Sequence, residues 1–306
     1  MKKILIYISI LLTSATFNGC YDLNTYPGDK VSENLFYQTE EHAKQGLMGI
    51  YGMLRDNHAY GYQFLFDHLA DIAYGYDYYM MYLGTYSDRS AEIQSKWQTM
   101  YDGIQRANSY LRVIPTMDVL TEEQKNEYMA EARFLRGMFY FTLLDLYGGV
   151  PYYDETTNLN VEYVGLKKPR SSAEEIRAHI ISDLNEAVAY LPVRHNDSDY
   201  GRATKGAAYA LRGKVYLYNK EWQNAIADFE EIVNNKSNNY GYGLDADYAH
   251  IFKLYNGDKS SEMIFSVQNK SGVGTEYGMA MQALMGTRSA FGYLCCIYIS
   301  QSNNSP

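Results

Sequence analysis

From Thr39 onward the chain settles into a helical rhythm. Ala43, Leu47, Ile50, Tyr51 and Leu54 recur at steps of three and four, and the pattern lapses near Arg55. A second run predicts a helix from about Ser90 to Ile114, stopped by Pro115. Thr121-Glu122-Glu123-Gln124 is a capping box, whose threonine and glutamine side chains satisfy N–H groups that the first helical turn leaves without partners. It opens a long apolar helix over 122–147, closed by Gly148-Gly149 and Pro151. Ser172-Ala173-Glu174-Glu175 repeats the device and starts a helix running to Leu191-Pro192. Two more helices, Thr204 to Asn219 and Trp222 to Asn234, flank a tight turn at Lys220-Glu221, which makes them antiparallel. Beyond residue 240 the rhythm weakens. Residues 262–268 read as a short strand, and Ser271 to Tyr293 is rich in glycine and methionine with no clear period.

The last two helices are similar to a tetratricopeptide hairpin. Ala225-x-x-x-Phe229 matches the second-helix signature, and Ala210, Gly213, Tyr216 and Leu217 supply the small-and-large alternation of the first. Asp183-Leu184-x-x-Ala187 is similar to Asp228-Phe229, so 122–147 with 172–191 is expected to form an earlier, divergent unit. Such hairpins cannot bury their apolar faces alone and stack on neighbours. The expected fold is mainly α, a tetratricopeptide-like helical scaffold carrying long irregular loops and little strand. Trp97 and Trp222 are expected to be packing anchors in it.

The chain's two ends have a different character. Lys2-Lys3 precede an apolar stretch, Ile4 to Phe17, too short to span a bilayer but suited to an export signal. Asn18-Gly19-Cys20 resembles a bacterial lipobox, with Phe17 where that pattern favours leucine; Cys20 would then be lipidated. The reading is a signal peptide over 1–19, a tether over 20–38 that includes Pro27-Gly28, and a helical domain over 39–293. Residues 294–306, a short apolar run and a polar end with Cys295-Cys296, match neither, and are expected to follow a frameshift or premature stop near Tyr293. The net charge is −9, or −11 without Lys2 and Lys3, which repels phosphate backbones and argues against general nucleic-acid binding.

Tyrosine is the unusual component, 33 of 306 residues, against 2 tryptophans and 11 phenylalanines. Eight tyrosines fall between Tyr60 and Tyr86, and Tyr74 to Tyr86 holds six in thirteen positions, broken by Gly75 and Gly84. A glycine-interrupted segment between two helices is expected to be a loop, where binding residues concentrate. Tyrosine rings pack on the C–H faces of pyranoses while their hydroxyls hydrogen-bond sugar hydroxyls. Tyr76, Tyr78, Tyr79 and Tyr82 are the candidate ligand platforms, with Asp77 and Arg89 as polar partners.

No catalytic motif stands out. The six histidines are scattered without paired metal-ligand spacing, and no Gly-x-Ser-x-Gly elbow occurs. Gly201-Arg202-x-Thr204-Lys205 lacks the full spacing of a phosphate loop and reads as a turn followed by a helix cap. Glu131, Arg133 and Arg136 read as structural ion pairs at a helix junction. No catalytic residue, metal or cofactor is expected.

The order of landmarks resembles the SusD/RagB lipoproteins. It runs Trp97-x3-Tyr101-x2-Ile104-x2-Ala107-Asn108, Glu131-Ala-Arg-Phe-Leu-Arg136 and Tyr147-Gly-Gly-Val-Pro151. Then come Gly201-Arg-Ala-Thr-Lys-Gly-Ala-Ala208, Gly213-Lys-Val-Tyr-Leu-Tyr218 and Ser261-Glu-x-Ile-Phe-Ser-Val-Gln268. The resemblance covers about residues 17–293 and implies a lipid-anchored protein of the outer membrane, facing the cell exterior. It would bind a glycan or oligosaccharide and pass it to a TonB-dependent, SusC-like transporter, without chemistry. It also implies a chain usually longer than this one. A helical-repeat lipoprotein that only binds proteins, peptide cargo in place of glycan, and a hydrolase remain the alternatives.

Overall fold

In a computed structural model of the protein the described residues are 36–61, 64–70, 73–75, 81, 83–157, 167–234, 240–252, 260–267 and 296–298. The chain divides into two compact units, Met1–Gln38 and Thr39–Pro306. In the first, the rings of Phe36 and Tyr37 meet edge to face at 5.0 Å. Cys20 lies outside the described residues, as do 158–166 and 268–295. No helix among the described residues is long and apolar enough to cross a membrane.

The second unit is helical. Its main elements are α1 (Glu40–Tyr51), α2 (Phe64–Leu69), α3 (Ala91–Val113), α4 (Glu122–Tyr147), α5 (Ala173–Tyr190), α6 (Lys205–Tyr218) and α7 (Trp222–Val233). Both capping boxes form: Thr121 accepts from the Gln124 N–H and Ser172 from the Glu175 N–H, and each acidic or amide partner reaches back. The Gly201 turn and the Thr204 cap also form, with Gly201 at φ 98° and the Thr204 hydroxyl accepting from Ala207. Two three-residue strands, β1 (Ala73–Gly75) and β2 (Cys296–Tyr298), pair antiparallel, Tyr74 opposite Ile297. Part of the atypical tail is therefore strand.

Over 262–267 the strand expected for 262–268 is absent, and turns and bends replace it; Gln268 lies outside the described residues. A strand forms only where a neighbour takes up its backbone groups. Here the Gly243 N–H donates to the Ser261 carbonyl at 3.2 Å, and Glu262 accepts from the Asp245 N–H at 2.7 Å. Phe265 instead packs edge to face on Phe134 of α4, 5.1 Å between rings.

The two hairpins, α4–α5 and α6–α7, are locked by one recurring device. Arg136 of α4 grips Asp183 of α5 through Nε and Nη2, both at 2.7 Å. Arg212 of α6 grips Asp228 of α7 through the same two atoms, at 2.8 and 2.6 Å. A glycine follows each arginine, and each glycine faces the side chain that follows the aspartate. A Cβ on Gly137 would stand 3.5 Å from Leu184, and one on Gly213 would stand 2.7 Å from the Phe229 ring. The Arg133–Glu186 pair at 3.1 Å runs in the sense that makes α4 and α5 antiparallel. Arg212 also donates to Asn185 at 2.7 Å and so joins the two hairpins.

Helix α3 lies on the other side of α4, with Gly103 against Phe139, where a Cβ would come within 2.7 Å of the ring. The segment 147–153 is pinned across this pair. Tyr101 donates to the Pro151 carbonyl at 2.7 Å, and Asn108 and Tyr140 donate to the Tyr153 carbonyl at 3.0 and 2.7 Å. Trp97 packs against Tyr101 and Tyr147 at 5.1 Å each, as an anchor should. Trp222 is not an anchor. It is 53% exposed, at the first position of α7.

These contacts predict opposite outcomes for two glycine substitutions. Gly213→Ala is expected to lower stability in urea denaturation by about 1–3 kcal/mol, because the Phe229 ring must move. Gly49→Ala, within α1 and with nothing within 4 Å of the added methyl, is expected to raise it by roughly 0.5–1 kcal/mol.

Candidate functional site

Of the residues expected to bind ligand, Tyr76, Asp77, Tyr78, Tyr79 and Tyr82 lie outside the described residues. What brackets them is described. Strand β1 ends at Gly75, and Met81 is buried at 5% exposure. The chain then rises to a solvent-facing rim: Leu83, Gly84 at φ 63°, and Tyr86. Arg89 sits in the turn before α3. Its N–H donates to the Ser87 hydroxyl at 3.2 Å, and its side chain is exposed. The Ser87 N–H in turn donates to the Ser90 hydroxyl at 3.0 Å, which fixes this turn to the first residues of α3.

A second polar centre is buried where the 193–203 loop meets α4. Glu131 is fully buried and accepts from Tyr51 at 2.6 Å and from Arg202 Nε at 3.1 Å, with a further bond to Arg202 Nη2. Burial pushes the Glu131 carboxyl up, and the Arg202 and Tyr51 hydrogen bonds oppose it. The Tyr51 hydroxyl also accepts the Ala203 N–H at 2.7 Å. Glu127, Glu131 and His195 bring three potential ligand atoms within 4.8 Å of one another. The position between the carboxylates is filled by Arg202, whose Nη2 also lies 3.5 Å from Glu127. His195 Nε2 donates to the Ala203 carbonyl at 2.8 Å, the only sense a carbonyl allows. The group is a guanidinium site and ties down the loop; it does not fit a metal.

Among the described residues two clefts open on the surface of this scaffold. One, of about 310 Å³, is lined by Tyr51, Arg55, Asp199, Tyr200 and Phe265 among others. The other, of about 290 Å³, lies between α3, α4, α6 and the segment leading into α2. Into it reach Lys96 of α3, over the rings of Tyr60 and Phe66 at 5.4 and 5.2 Å, and Lys214 of α6, over Phe141 at 5.5 Å. Lys96 donates to the Ala59 carbonyl, and burial pushes its ammonium down to about 8. Sequence reasoning missed this cleft. The available signal was Lys96 itself, which falls in register with the buried stripe Met100, Gly103, Ile104 and Ala107.

Residues 23–217 match a protein family described as starch-binding and associating with the outer membrane. The chain belongs to the SusD-like family. A SusD-like protein of Formosa agariphila is 27% identical over 282 residues, covering 87% of this chain and 51% of that protein. The starch-binding protein SusD of Bacteroides thetaiotaomicron is 31% identical over 179 residues, 56% of this chain and 30% of its own length. Among solved structures, a laminarin-binding SusD-like protein superposes with a TM-score of 0.66 at 28% identity, covering 75% of this chain and 51% of that one. The chain thus spans about half the length of the SusD-like proteins it matches most extensively. Its SusD-like landmarks are structural: Trp97, Tyr101, Asn108, Glu131, Arg136 and Arg202 all serve in packing or buried hydrogen bonds.

Lys96 is expected to weaken the fold at neutral pH. Below about pH 8 the amine is charged in both folded and unfolded chains, and the cost of burying that charge is fully in force. Between about 8 and the usual 10.5 only the unfolded chain keeps the proton, so stability rises with pH. Lys96→Met is therefore expected to raise stability near pH 7 by about 1–2 kcal/mol, with the gain narrowing toward pH 10 in urea melts at stepped pH.

Proposed function

We propose that this protein captures a glycan or oligosaccharide at the cell surface and passes it to a TonB-dependent, SusC-like outer-membrane transporter. A lipid on Cys20 holds it to the membrane, facing outward, and it binds without performing chemistry. The family match over residues 23–217, described as starch-binding, carries this reading. The 28%-identical laminarin-binding structure supports it, as does the tyrosine density between Tyr74 and Tyr86. In this reading Tyr76, Tyr78, Tyr79 and Tyr82 stack on sugar rings, and Asp77 and Arg89 hydrogen-bond their hydroxyls. The exposed guanidinium of Arg89, on a turn fixed to α3, is available for that role.

One observation favours a protein-binding role beside it. Trp222, Ile226 and Val233 form a row on α7 that is 53%, 49% and 75% exposed, next to the exposed Leu217 and Tyr218 of α6. Such a row suits a protein partner, and the transporter is the one this reading supplies.

Isothermal calorimetry against a polysaccharide panel that includes starch and laminarin tests the proposal. Heat with at least one glycan is expected, and joint replacement of Tyr78 and Tyr79 by alanine is expected to weaken it about tenfold or more. No heat with any glycan would leave only the protein-binding role. Release of shorter sugars from a bound glycan would make the protein a hydrolase instead.

A further inference from the structure

The cleft between α3, α4 and α6 carries a charge pattern that a neutral sugar does not need. Its cations are the ammonium groups of Lys96, half-buried, and Lys214, exposed; the carboxylate lining it, Asp145, is exposed at the rim. Among the described residues no Asp or Glu oxygen lies within 4 Å of either ammonium. Lys96 is half-buried, with one carbonyl, that of Ala59, as its hydrogen-bonded acceptor. Two of its three donors therefore remain for something else. Asp56 acts on Lys96 only from beyond ion-pair distance, so the partly desolvated ammonium lacks a contacting anion, and an anionic ligand would relieve that cost.

The walls are aromatic, and Phe66 is the exposed ring among them. Tyr60 and Phe66 lie beneath Lys96; Phe141 lies beneath Lys214, with Tyr218 beside it at 5.6 Å from the same ammonium. Each cation thus sits over aromatic faces, and the Thr142 hydroxyl of α4, bonded to Tyr60 at 2.8 Å, also lines the cleft. The volume, about 290 Å³, is at the lower end of the roughly 300–1,000 Å³ typical of small-ligand clefts. It suits one sugar unit with the rest of a chain running past the exposed rim.

We propose that this cleft binds an acidic sugar unit, its carboxylate or sulfate held by Lys96 and Lys214 and its ring lying against the exposed aromatic rim at Phe66. The inference rests on the glycan-capture reading and sharpens it. The preferred glycan is anionic, and this cleft is a second contact apart from the tyrosine-rich segment. Lys96 then has a reason to stay where it weakens the fold.

The test measures affinity of the full chain for paired oligosaccharides that differ in charge alone. One pair is oligogalacturonide and its fully methyl-esterified form; the other is a sulfated galactan oligosaccharide and its desulfated form. At least one acidic member is expected to bind about tenfold or more tightly than its neutral twin, with the preference falling as salt rises. Lys96→Met and Lys214→Met should each erase most of that preference, and the stability of Lys96→Met shows that a loss is not misfolding. Which pair responds tells carboxylate from sulfate. Equal affinity within both pairs, with some binding retained, overturns this inference and leaves glycan capture standing. An acidic preference unmoved by both lysine variants also overturns it. Absence of binding to any glycan overturns both.

Discussion

The scaffold depends on two guanidinium groups gripping two carboxylates in an identical manner. A buried arginine must meet its charge and its donors inside the protein, and the bidentate fork allows only one relative placement of the two helices. Arg136 with Asp183 fixes α5 on α4; Arg212 with Asp228 fixes α7 on α6. The glycine after each arginine lets the next side chain of the opposite helix come close, so the ionic grip and the apolar contact reinforce one register. Removing Asp228 would leave Arg212 without a carboxylate, whereas Arg136 would keep Glu155 at 2.5 Å if Asp183 were lost.

Much of this was legible in the sequence because the signals are local. Capping boxes at Thr121 and Ser172 and stops at Pro115, Gly148 and Pro192 mark helix ends through groups within a few residues of each other. The kinship of Asp183-Leu184 and Asp228-Phe229 was visible too; that each aspartate meets the arginine of an Arg-Gly pair was not. The Glu131–Arg202–Tyr51 cluster spans 71 and 80 positions, and no spacing rule reaches that far. The strand expected over 262–268 failed for the same reason. Its composition suits a strand, but pairing depends on what lies alongside, and the 240–250 loop lies there.

The candidate binding surface was only partly legible. An excess of tyrosine draws attention to Tyr74–Tyr86 by composition, whereas the lysine cleft is assembled from segments far apart in the chain. Its rings come from positions that read as ordinary packing, and Lys214 comes from one that reads as ordinary helix surface. What distinguishes Lys96 is a mismatch, a charged residue in register with a buried stripe. Such a mismatch tells a reader to look for a partner without saying which. Glu131 shows the same signal with the opposite outcome, since its partner is supplied from within the chain.

The attachments of α1 have a mechanical side. Its two ends are held to a single turn of α4, Glu40 accepting from Tyr128 at 2.9 Å and Tyr51 donating to Glu131 at 2.6 Å, while Arg106 of α3 holds the Gly49 carbonyl at 2.9 Å. Tension that reaches Glu40 loads the Tyr128 bond, made by a carboxylate near the surface. The load then reaches Tyr51, which also holds the backbone of Ala203, so the force is shared with the segment leading into α6. The outer bond acts as a fuse and the inner cluster as the anchorage. A pull at this end would strain one exchangeable contact before it disturbed the helices that line the lysine cleft.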